Sequence, residues 1–112
     1  MIRINKEQNG YLVVSLDITE ANLNNSDLFK TELVKLMDEH SKKVVIDMGK
    51  IDYMDSSFLG ALVSALKHAM SIKSDLILVC LRKDIFDLFT LIRLDKVFKI
   101  YDNFDEVLIA EY

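Results

Sequence analysis

Two adjacent hydroxyls, Ser56 and Ser57, follow Asp55 and open a run of apolar residues at helical spacing. Leu59, Leu62, Val63, Leu66 and Met70 share one stripe, so the spacing predicts a helix from about Ser56 to about Ile72. Ser56 or Ser57 is then the N-cap or the first helical residue. Backbone N–H groups without intrahelical partners and the positive end of the helix dipole converge there. A phosphoryl group carried by either hydroxyl would meet donors instead of repulsion, as anions do at helix N-termini. The plainer alternative is that Asp55 and Ser56 only cap the helix.

Other side chains with chemical potential fall into ordinary positions. Cys80 lies in the apolar run Leu76–Leu81, which predicts core packing within a strand. His40 closes a helical pattern, and His68 falls opposite the apolar stripe of its helix, a solvated face. Neither histidine stands at ligand spacing from acids, so no metal site is expected. Asp47 ends a strand, but the early acidic pair that a Mg²⁺-dependent aspartyl-phosphate site requires is missing. No Gly-rich phosphate loop, nucleophile elbow or Cys/His nucleophile arrangement is present, so the reading is of a non-enzyme without cofactor.

The elements that must position this turn are legible from periodicity. Asn9-Gly10 separates two alternating segments, Ile2–Ile4 and Tyr11–Ile18, and predicts an opening β-hairpin. Asn24-Asn25-Ser26-Asp27 supplies caps for a helix carrying Phe29, Leu33, Leu36 and Met37 and ending near His40. Val44–Ile46 and Leu76–Leu81 read as buried strands, with the Ser56 helix between them. Asp84 precedes a helix with Ile85, Leu88, Phe89 and Ile92. Val97–Tyr101 suits a last strand, and Asn103 with Glu106 opens a final helix. Alternating strands and helices predict an α/β fold, a mixed and mostly parallel sheet with an antiparallel N-terminal hairpin and about four helices.

Composition bounds the function. At 112 residues the chain is expected to form one domain, residues 1–112. Size scaling predicts about 6,300 Å² of folded surface, enough burial for a core without metals or disulfides. With 51% hydrophobic residues and a formal charge of −4, disorder is excluded. The balance of 14 Lys+Arg against 18 Asp+Glu argues against nucleic-acid partners and anionic membranes. No apolar run is long enough to insert into a bilayer, and one cysteine suits a reducing, cytoplasmic setting.

The stretch Asp47–Leu66, within this order of elements, resembles the STAS family of anti-sigma factor antagonists. The family's turn, Asp-Ser-Ser/Ala-Gly-Leu-Gly after an aromatic and a methionine, is similar to Tyr53-Met54-Asp55-Ser56-Ser57-Phe58-Leu59-Gly60 at all but one position. Leu94-Asp95-Lys96-Val97-Phe98-Lys99-Ile100-Tyr101 resembles the family's closing strand, which extends the likeness over essentially the whole chain. The resemblance implies a STAS domain that binds an anti-sigma factor when unphosphorylated and so releases a sigma factor. The partner is both anti-sigma factor and serine kinase, and a PP2C-type phosphatase resets the switch. Carried over, the phosphoacceptor is Ser56, with Ser57 second. The partner-binding turn is Asp55, Ser56, Ser57, Phe58 and Gly60, with Asp55 orienting it. A monomer is expected when free.

Two positions depart from the family pattern. Phe58 replaces a glycine, and on a helical wheel it lies about 100° from the predicted core stripe, with Ala65 and Ala69. It either packs on a neighbouring helix or forms an exposed anchor for a reshaped partner pocket. Ile18-Thr19-Glu20-Ala21-Asn22 replaces a Gly-x-Leu-Asp-like run. These departures support a second reading, a STAS interaction module that is not phosphorylated and serves in a larger regulatory or transport assembly.

Overall fold

The alternating apolar pattern of residues 11–16 and the β-branched run at 44–46 place hydrophobic side chains on both faces of a central sheet. In the computed structural model, which describes residues 1–112, that sheet has five strands. They are β1 (Ile2–Gln8), β2 (Tyr11–Leu16), β4 (Lys43–Asp47), β6 (Leu76–Val79) and β7 (Lys99–Tyr101), in spatial order β1-β2-β4-β6-β7. β1 and β2 are antiparallel, and every other neighbouring pair is parallel. Asn9 and Gly10 turn the hairpin with φ of 53° and 84°, the paired left-handed conformations that Asn-Gly adopts readily.

Helices α1 (Leu23–His40), α2 (Ser56–Ser71) and α3 (Lys83–Leu91) cover one face, and α4 (Phe104–Ala110) covers the other. Leu12, Val14, Val44, Ile46, Leu76 and Leu78 point to the three-helix side, where Phe29, Leu33, Leu62 and Phe89 meet them. Tyr11, Val13, Val45, Ile77 and Val79 point to α4 and pack on Phe104 and Val107. Continuous apolar runs in β4 and β6 therefore reflect burial on both faces. The accessible surface is 6309 Å², in line with the size expectation.

Several boundaries differ from the sequence reading. Asn22, not the Asn24–Asp27 cluster, caps α1: its side chain accepts from the Asn24 N–H while Asn25 Oδ1 accepts from the Asn22 N–H. The reciprocal pair closes the helix one residue before Leu23, so the cluster lies inside the first turn. Beyond the second strand, which ends at Leu16 and not Ile18, β3 (Glu20–Ala21) pairs in parallel with β5 (Tyr53–Met54) as a separate two-stranded sheet. Leu94–Lys96 forms a single 3-10 turn, so the last strand starts only at Lys99. Cys80 lies just beyond β6 with φ of 63° and is half-buried, not a mid-strand core residue. Each histidine does meet an acid, His68 Nε2 lying 2.7 Å from Asp38 Oδ1 and His40 Nδ1 3.1 Å from Glu7 Oε1. These contacts tie α1 to α2 and to the hairpin, and groups of acids, histidines and cysteine fit to hold a metal ion are absent.

Candidate functional site

The turn between β4 and α2 sits at the carboxyl end of the parallel strands. In open α/β sheets that is where binding loops gather. Its geometry is governed by Asp55. The residue is extended (φ −104°, ψ 176°), and Oδ1 accepts from the Phe58 N–H at 3.0 Å, an N-cap. Oδ2 accepts from the N–H of Leu23, the first residue of α1, at 2.9 Å. One carboxylate thus satisfies donors at the starts of two helices. Its own N–H donates to the Ala21 carbonyl at 3.0 Å, and the Asp52 and Tyr53 N–H groups donate to the Thr19 carbonyl. The segment 18–22 is laced to the turn through β3 and β5 and fixes its height above the sheet.

Ser56 is the first residue of α2 and is exposed; Ser57 is next and half-buried. By helix geometry the N–H groups of both have no intrahelical carbonyl to reach. No side-chain hydrogen bond within the chain ties down the Ser56 hydroxyl. A hydroxyl so placed is open to an incoming group, and the adjacent N–H groups and helix dipole favour negative charge on it. Gly60 is exposed one turn further on, and a Cβ built there meets nothing within 4 Å. The fold of this chain therefore does not itself require a glycine at that position.

Phe58 is not on this surface. Its side chain is 0% exposed, and its ring lies 4.5 Å from that of Phe29 on α1, tilted by 32°. This corrects its assignment to the partner-binding turn, and of its two expected roles it has the first, packing on a neighbouring helix. The reason is that the buried stripe of α2 is wider than Leu and Val spacing suggests. Ala61, Ala65 and Ala69 are buried with Phe58, Leu59, Leu62 and Leu66, whereas Met70 is 64% exposed. Phe58 lies between α2 and α1, where its ring meets that of Phe29. The sequence-predicted residues that share the exposed rim are Ser56 and Gly60, flanked by half-buried Asp55 and Ser57.

Two exposed apolar residues join them, Tyr53 at 52% and Leu23 at 69% exposure. Leu23 was missed from the sequence. Its one signal is an apolar residue at the first helical position, outside the Phe29–Leu33–Met37 stripe. The hydrogen bond from its N–H to Asp55 brings it beside the turn.

The geometry agrees with comparison to known proteins. A Thermotoga neapolitana protein described as a candidate anti-sigma factor antagonist is 26% identical over 98 residues, 87% of each chain. The crystal structure of a candidate anti-sigma factor antagonist from Thermotoga maritima is 26% identical, with a TM-score of 0.79 over 98% of this chain and 92% of its own. The phosphorylated form of the Bacillus cell fate determinant SpoIIAA shares the fold at 13% identity, with a TM-score of 0.71 over 99% of this chain and 98% of its own. The sequence model of the STAS domain matches residues 4–107, and the chain belongs to the STAS domain family.

Proposed function

We propose that this chain is an anti-sigma factor antagonist whose switch is phosphorylation of Ser56. The observation that carries the reading is the Ser56 hydroxyl: exposed, without a hydrogen-bond partner in the chain, and at the first position of a helix whose cap is fixed by Asp55. The names of its relatives as anti-sigma factor antagonists support the partner class.

In this reading the unphosphorylated turn docks on an anti-sigma factor that is also an ATP-dependent serine kinase, and the sigma factor is released. The chain does no catalysis. It presents Ser56 Oγ, which attacks the γ-phosphorus of the partner's ATP. The Oγ–P bond forms, the bond to the bridging oxygen of ADP breaks, and the hydroxyl proton leaves to a base on the partner. The new group carries a charge of about −1.5 to −2. Within the chain it is held by the start of α2, while at the interface it must be desolvated against a nucleotide site that is itself anionic. A loss of about 3 kcal/mol is a factor of about 100 in affinity. A PP2C-type phosphatase reverses the step by delivering water to the phosphorus and freeing the hydroxyl.

Burial of Phe58 denies it the role of an exposed docking anchor, the main support for a docking module without phosphorylation. Intact mass and phosphopeptide mapping of the chain from its native cells, in growth and under stress, tests the proposal. A single phosphate on Ser56 with condition-dependent occupancy is the expected result; an unmodified chain under every condition overturns it.

A further inference from the structure

Leu23 and Tyr53, the exposed apolar residues beside Ser56, are bordered by carboxylates. β3 and β5 set Glu20 opposite Tyr53 and Ala21 opposite Met54. Ala21 and Met54 are buried, so Glu20 and Tyr53 face outward together, since successive strand residues alternate between faces. Asp52 enters the same corner, its N–H donating to the Thr19 carbonyl at 2.9 Å. On the other side Asp55 Oδ2 holds the Leu23 N–H, and Asp27 stands one helical turn beyond Leu23 on α1. Glu20, Asp27 and Asp52 are exposed, and none has a base within 4.0 Å.

Residues 18–29 and 51–66 contain Glu20, Asp27, Asp52 and Asp55 and no lysine or arginine, whereas the rest of the chain has 14 acids and 14 bases. The whole formal charge of −4 therefore resides in the two segments that build this rim. Lys50 borders the hollow beside Glu20. It and Arg3 are both held on Asp17, at 3.3 and 3.0 Å. Two cations on one carboxylate leave a single positive charge at the foot of the rim, against four carboxylates. Lys30, a turn past Asp27, is the next base along α1 and is further than 4.0 Å from that carboxylate.

We propose that this rim steers the chain onto a basic protein surface, an apolar hollow for Leu23 and Tyr53 edged by lysine or arginine opposite Glu20, Asp27 and Asp52. The inference rests on the Ser56 reading, which supplies the partner: a kinase holds the phosphates of ATP with cations, and the docked turn meets that neighbourhood. Exposed charges at the edge of an interface act on the rate of encounter, and groups buried at its centre act on dissociation. A phosphate on Ser56 then leaves the steering in place and removes the fit.

Paramagnetic broadening of the ¹⁵N-labelled chain tests the charge on the rim, with the cationic nitroxide aminomethyl-PROXYL against the anionic carboxy-PROXYL. Amides of residues 20–23 and 52–57 are expected to be broadened about twofold more by the cation, and the Glu20→Gln/Asp52→Asn double variant to lose most of that difference. Equal broadening by both probes overturns the proposal. Stopped-flow association then tests the partner, using the kinase purified from the native cells by its transfer of ³²P from ATP to Ser56. Its association rate is expected to fall about three- to tenfold in the double variant, and to fall for wild type between about 50 and 300 mM NaCl, with dissociation little changed. Glu39→Gln/Asp87→Asn, the same change of charge outside the rim, leaves the rate unaltered. An unaltered melting temperature shows that each double variant folds. Absence of ³²P on every chain overturns the Ser56 reading and this partner with it. Transfer with the same association rate in the rim variant and wild type overturns the steering alone.

Discussion

Gly60 separates what the fold needs from what a partner needs, because the two requirements predict opposite signs. A Cβ at this exposed helical position meets nothing, and alanine is better than glycine in a helix by about 0.8–1 kcal/mol. Gly60→Ala is therefore expected to raise the melting temperature. If docking of the turn brings the partner's backbone close to Gly60, the same change weakens binding in a calorimetric titration. A stabilised variant that binds as tightly as wild type takes Gly60 out of the interface. Ser56→Asp and Leu23→Ser make a second pair of predictions on the same rim. Ser56→Asp adds an acid where a helix N-terminus tolerates it, so stability is kept while partner affinity falls about 100-fold, the ~3 kcal/mol scale of the switch. Leu23→Ser removes an exposed apolar side chain without touching the backbone N–H that Asp55 holds. It is expected to lower affinity with a stability change of no more than about 0.5 kcal/mol. Phe58→Ala should behave in the reverse way, costing about 3–5 kcal/mol of stability as a core truncation. A small loss at Phe58 in urea unfolding would show that its ring is not buried in solution.

The contrast at Phe58 also explains what was legible in the sequence at the level of elements. Periodicity located α2 and its start because Leu59, Leu62 and Leu66 repeat at helical spacing. It puts the edge of the buried stripe at Met70 because alanine carries little hydrophobic signal: the flank of Phe58, Ala65 and Ala69 is visible on the helical wheel, but only as one of two packing roles, and its burial is not. β3 and β5 are two residues each, too short for any period, and they exist only because segments distant in sequence meet. The Asp55 bond to Leu23 is of the same kind: the cap on α2 is readable from Asp-Ser-Ser, its second task at α1 is not. α4 shows a further long-range device. Lys99 bonds Asp75 and Glu111, and Glu111 also accepts from Tyr101, fastening the end of α4 to β7. The hydrogen bonds from Lys99 and Tyr101 hold the Glu111 carboxyl below its ordinary value of 4.5. A depressed carboxylate stabilises the fold above the unfolded-state pKa, and that contribution is lost as pH falls through the folded-state value. Lowering the pH from about 6 into the range below 4.5 should therefore loosen α4, and Glu111→Gln should flatten that part of the stability–pH curve. Parallel curves for variant and wild type would mean the network contributes nothing measurable.

At the scale of the whole molecule, the two cores differ in size, 24 buried residues against 7, and this bears on how the proposed switch would operate. β4 and β6 are covered on both faces, with Val44, Val45, Ile46, Leu76, Ile77 and Leu78 fully buried. The seven-residue α4 is all that closes the second face. The turn bearing Ser56 is tied to the larger core through Phe58 and Leu59 below it and through Asp55 beside it. A charge added to the exposed hydroxyl therefore has no loosely held element to move. The switch is expected to work by changing the surface a partner meets, without a second conformation of the domain. Hydrogen exchange checks this directly. Amides of β4 and β6 should exchange only by global unfolding, those of α4 by an opening of lower free energy, and phosphorylated and unphosphorylated chains should differ only around residues 55–60. Altered protection in β6, α3 or α4 on phosphorylation would establish a transmitted conformational change, and the partner would then be reading the shape of the domain as well as the charge on Ser56.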